Sequence, residues 1–95
     1  TQAQMSLSGL RILVVDDEAD VRELLARILK DAGADVTITP SANEALAALR
    51  QKLPDIMLAD IGMPDVDGYM LMRQVRALPS ELGGQIPAIA LTAYA

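Results

Sequence analysis

The chain has 95 residues, enough for one domain with a modest core. It is 52% hydrophobic, carries a net charge of −5 and contains no Cys, His, Phe or Trp. Disulfides, thiolate metal sites and histidine acid–base chemistry are therefore excluded, and an anionic partner such as nucleic acid or a charged membrane surface is disfavoured.

Residues 1–8 lack the basic and apolar regions of a signal peptide and are expected to be a linker or an expression remnant. No apolar run reaches the roughly 18–20 residues of a membrane span, so the cytoplasm is the expected location. The first predicted strand is LRILVV, residues 10–15, a continuous apolar run suited to a strand covered on both faces. It runs straight into Asp16, Asp17 and Glu18. Val21, Leu24, Leu25, Ile28, Leu29 and Ala32 then mark the apolar stripe of an amphipathic helix, which Gly33 should end.

DVTIT, residues 35–39, alternates and predicts a half-buried strand near a sheet edge. Ser41 and Glu44 have capping-box spacing, and Ala42, Ala45, Leu46 and Leu49 outline a second helix that Pro54 closes off. DIMLA, residues 55–59, is a third strand. Leu71, Val75 and Leu78 trace a third helix, residues 79–85 a loop, and IPAIALT, residues 86–92, a fourth strand. Met57, Met63, Met70 and Met72 are expected to pack, not to ligate.

Alternating strands and helices predict an α/β fold with a parallel sheet, whose functional crevice lies beyond the carboxyl ends of the strands. There the first strand delivers Asp16 and Asp17, the third Asp60 and the fourth Thr92. If the first and third strands are neighbours, three carboxylates and a hydroxyl meet at one rim. Such carboxylates repel, and a hard cation such as Mg²⁺ relieves the conflict while leaving a place for a phosphoryl oxygen. The competing view makes each Asp a helix cap. That suffices for Asp17 or Asp60 taken singly, less well for both together. Asp65 and Asp67 belong to ordinary turn chemistry in PDVDG. No phosphate-binding glycine loop of either common pattern is present.

ILVVDDE (12–18), PDIMLADIGMPDVDG (54–68) and IPAIALTA (86–93) occur in the order and spacing of a known family. Over residues 9–95 the chain resembles the receiver domain of two-component response regulators. The wording of several segments is most similar to receivers of hybrid sensor histidine kinases. The resemblance implies a flavodoxin-like, doubly wound parallel sheet. It implies Asp60 as phosphoacceptor, Asp17 as a direct and Asp16 as a water-mediated Mg²⁺ ligand, the Gly62 backbone carbonyl as a further ligand, and Thr92 as the switch hydroxyl. It implies phosphoryl transfer from a histidine kinase or histidine phosphotransfer protein in a phosphorelay, and assistance by the domain in its own phosphorylation and dephosphorylation.

The family pattern also contains a fifth strand, two more helices and an active-site lysine, none of which matches a segment here; no Lys follows Lys52. The expected sheet is thus an incomplete one of four strands and three helices, with an exposed fourth-strand edge that favours self-association. The missing lysine keeps a second function open, a receiver fold serving only as an interaction surface. A phosphatase of the haloacid-dehalogenase type would need an Asp two residues after the nucleophile, where Gly62 stands.

Overall fold

The computed structural model describes residues 6–60 and 68–91, with side chains of 68 and 69 left aside. In chain order the elements are β1 (Arg11–Val15), α1 (Ala19–Asp31), β2 (Asp35–Thr39), α2 (Ala42–Gln51), β3 (Ile56–Asp60), α3 (Gly68–Arg76), a 3-10 turn (Ser80–Leu82) and β4 (Ala88–Leu91). All strand pairs are parallel and the sheet order is β2-β1-β3-β4. The first and third strands are therefore neighbours, as convergence of the acidic residues requires.

Strand alternation divides the core. Leu13, Val15, Met57 and Ala59 face α2 and α3, packing with Ala45, Leu49, Leu71 and Val75. Ile12 and Val14 face α1, meeting Leu25 and Leu29. Helices thus cover both faces of β1, which explains its uninterrupted apolar run. Leu7 packs with the second group, and its amide donates to Ala32 O at 2.8 Å.

Helix ends follow local chemistry. Gly33 adopts φ +100°, a conformation open to glycine at low cost, and its amide donates to Lys30 O. Ser41 Oγ accepts from the Glu44 amide at 3.2 Å, one half of the capping box. The Glu44 carboxylate accepts from the Ser41 hydroxyl at 3.4 Å and not from its amide.

Several expectations need correction. Leu24 and Ile28 belong to the apolar stripe of α1 but are exposed, because the sheet meets only its Leu25–Leu29 side. Ile38 is exposed on edge strand β2, while Thr39 is buried with its hydroxyl donating to Val14 O at 2.9 Å. Met57 is fully buried and Met72 packs against the core, yet Met70 is exposed; Met63 lies outside the described residues. The helix α3 stops at Arg76, before Leu78. β3 runs from Ile56 to Asp60, one residue later than expected; just before it Asp55 donates its amide to Arg11 O and accepts from the Arg11 amide through its side chain. β4 is shorter than residues 86–92: Ile86 is buried against the α2–α3 layer, and the outward apolar residue is Ile89, 50% exposed.

Candidate functional site

Register carries the acidic residues together. Val15 pairs with Ala59 and with Thr39, so β1 and β3 end side by side. Asp16 follows the first and Asp60 closes the second, opposite Leu91 of β4. One carboxylate oxygen from each of Asp16, Asp17 and Asp60 lies within 4.8 Å of the others. Asp16 is buried, Asp60 half-buried and Asp17 exposed, so the cluster is open on the Asp17 side. Gly62 and Thr92 lie outside the described residues; by sequence Thr92 directly follows Leu91.

Asp16 is fixed from three directions. Its amide donates to Thr39 O at 3.1 Å, and its Oδ1 accepts from the Glu18 amide at 2.8 Å. Its carbonyl accepts from Arg22 Nη1 at 2.7 Å. The helix cap position falls on Glu18, which makes no side-chain capping bond. Simple capping therefore does not account for Asp17. Arg22 is a residue that the sequence reading passed over. The available signal was a cation at the fourth position of α1, six residues after Asp16.

Burial holds the Asp16 carboxyl above its ordinary value of 3.8; the Glu18 amide pulls it down, Asp60 and Asp17 push it up, and Arg22 pulls it down. A raised folded-state value means that ionised Asp16 costs stability at neutral pH. That cost disappears as pH falls through the raised value and reaches zero below the unfolded one. Asp16→Asn keeps an oxygen for the Glu18 amide and removes the charge. In magnesium-free buffer it should raise the melting temperature at pH 7, with the gain shrinking toward pH 3.8. A lower melting temperature at pH 7 would mean that the ionised group stabilises this turn.

The carboxylate set suits a hard divalent cation. Oxygens on opposite sides of a Mg²⁺ shell stand about 4.2 Å apart, twice its ~2.1 Å bond length. The 4.8 Å spread is close to that span. A separate cavity of about 160 Å³, lined by Arg11, Leu13, Thr37 and Lys52, lies at the opposite end of the strands.

The response regulator receiver domain model matches residues 12–95, and the chain belongs to that family. It is 50% identical over 90 residues to a 14.6 kDa protein from the sodA1 3′ region of Leptolyngbya boryana, covering 95% of this chain and 67% of that protein. It is 40% identical over 83 residues to the DNA-binding transcriptional regulator NtrC of Salmonella typhimurium, covering 87% of this chain but only 17% of NtrC. Among solved structures it resembles the receiver domain of sensor histidine kinase PA1611 from Pseudomonas aeruginosa, which has a magnesium ion coordinated in its active-site cleft. The TM-score is 0.82 at 32% identity, covering 92% of this chain and 70% of that one. The fold is thus the flavodoxin-like receiver fold, and the chain is a receiver domain of two-component signalling.

Proposed function

We propose that this receiver accepts a phosphoryl group on Asp60 from a phosphohistidine on a histidine kinase or phosphotransfer protein. The observation that carries this reading is the meeting of Asp16, Asp17 and Asp60 at the carboxyl ends of β1 and β3. No histidine lies in these 95 residues, so the donor lies outside them.

An Asp60 carboxylate oxygen forms a bond to phosphorus while the phosphorus–nitrogen bond breaks. The imidazole keeps that electron pair and takes up a proton from solvent. Little covalent work falls to the protein in such a transfer, and positioning plus charge stabilisation supply most of the rate. Pairing of β3 with β4 holds Asp60 opposite Leu91, and the bonds from Glu18 and Arg22 hold Asp16. Mg²⁺, bound by Asp17, Asp60 and the Gly62 carbonyl directly and by Asp16 through water, would neutralise charge on the phosphoryl oxygens. Thr92 would donate its hydroxyl to the acyl phosphate and report its presence by moving. The setting is a cytoplasmic phosphorelay, with a hybrid sensor kinase as the parent, and the acidic surface leaves nucleic acid and membranes aside. A second copy of the chain is a further partner in this reading, because β4 pairs only with β3 in the described sheet and carries no charged residue.

The test is incubation with Mg²⁺ and acetyl phosphate, followed by peptide mapping. Asp60 should gain an acid-stable, base-labile phosphoryl group, and Asp60→Asn should abolish uptake. Phosphate on another residue of the unmutated chain would overturn the assignment. Mg²⁺ binding without any uptake would favour the alternative of a non-catalytic interaction domain.

A further inference from the structure

Arg22 stands where helix electrostatics alone would not put a cation. It is the fourth residue of α1, near the positive end of the macrodipole, where acidic residues are favoured. Helical side chains lean toward the N-terminus, so a long one at this position reaches back over the turn that precedes the helix. Arg22 does so: Nη1 donates to Asp16 O at 2.7 Å, and its amide begins the helix ladder on Glu18 O at 3.0 Å. Arg22 is half-buried, and its bond to the Asp16 carbonyl places its positive charge beside that residue, which is buried in the cluster with Asp17 and Asp60. A buried carboxylate with two like neighbours needs compensating charge.

We propose that Arg22 is the resident counter-charge of the acidic cluster, a positioning residue that holds the Asp16–Glu18 turn without metal and competes with the incoming divalent cation. The inference rests on the reading of the cluster as a Mg²⁺ site. Its two parts have opposite signs. Loss of Arg22 frees the turn, which weakens the metal-free fold. Loss of its positive charge deepens the local negative potential, which tightens binding of a dication. A residue that merely shaped the ligands would instead weaken metal binding when removed.

Arg22→Met and Arg22→Lys in the full chain separate these parts, with Mg²⁺ alone as the titrant in calorimetry and thermal melts in EDTA and in Mg²⁺. Arg22→Met should melt lower than the unmutated chain in EDTA. It should bind Mg²⁺ about five-fold more tightly at low salt and gain more from Mg²⁺ in the melt. The affinity gain should shrink in about 1 M monovalent salt, where the Debye length is ~3 Å. Arg22→Lys keeps the charge and should keep the unmutated affinity. Equal or weaker Mg²⁺ binding by Arg22→Met, while the unmutated chain binds, would overturn the proposal and leave the metal site standing. No Mg²⁺ binding by the unmutated chain would overturn both.

Discussion

Gly84→Ala should cost more stability than most single substitutions in this chain. A Cβ on Gly84 would overlap the Leu78 carbonyl oxygen and lie 3.2 Å from that of Pro79. Both neighbours are backbone, so no side-chain rotation relieves the clash. The segment is also tied down. The Gly84 amide donates to Pro79 O at 3.1 Å, and its carbonyl accepts from Arg76 Nη1 at 2.9 Å. Moving the loop far enough to admit a methyl group breaks these bonds and pulls on Ile86, which is buried just before β4. Overpacking of this kind typically costs about 1–3 kcal/mol, and the broken bonds add roughly 1 kcal/mol each. A loss of about 3–5 kcal/mol is expected against a domain stability of about 5–15 kcal/mol. Urea unfolding measures it. Arg76→Met is the control, removing one part-buried tether without a clash, and should cost only about 1 kcal/mol. Similar midpoints for Gly84→Ala and the unmutated chain would show that the loop gives way freely.

The 95-residue chain should also show a melting temperature that depends on its concentration. β4 has a single neighbour in the described sheet, and its residues Ala88–Leu91 carry no charge, proline or bulge to discourage a partner. Ile89 on this strand is half exposed, and Leu24 and Ile28 of α1 add exposed apolar surface. Leaving a few hundred Å² of such surface in water forgoes about 5–10 kcal/mol, comparable to the stability of a whole domain. Pairing between copies, strand to strand or by exchange of a segment, recovers part of it. Sedimentation at low micromolar concentration should therefore show a species larger than the monomer. The melting temperature should fall on dilution by about a hundredfold, as mass action demands of an associating fold. A cooperatively folded monomer with an unchanged melting point over that range would refute the association. Ile89→Lys separates the contributions: a charge on the edge should lower association while leaving the β1–β3 core intact.

The acidic site combines features of very different range. A continuous apolar run ending on Asp16, and another ending at Asp60, are local patterns visible in the order of residues. The same holds for α1 and α2, whose periodic apolar residues and end signals lie within a few turns of one another. Strand–helix alternation was therefore legible from the sequence, and so was the rim on which Asp16, Asp17 and Asp60 sit. The conflict among them was legible too, because neighbouring carboxylates repel whatever holds them there.

Tertiary structure decided what depends on distant partners. Only the order β2-β1-β3-β4, a pairing of segments about 45 residues apart, turns three acidic positions into one cluster. The same non-local packing chose Leu25 and Leu29 over Leu24 and Ile28 on one helix, and Ile86 over Ile89 around one strand. Hydrophobic periodicity marks a stripe but not which part of it the sheet meets. Arg22 was hidden for the same reason. Its charge and position are plain in the chain, but its meaning comes from a 2.7 Å bond to Asp16, which the fold sets beside Asp60 of another strand. Such a contact is set by where β1, α1 and β3 come to rest, because electrostatic partners are chosen by distance through space and not along the chain.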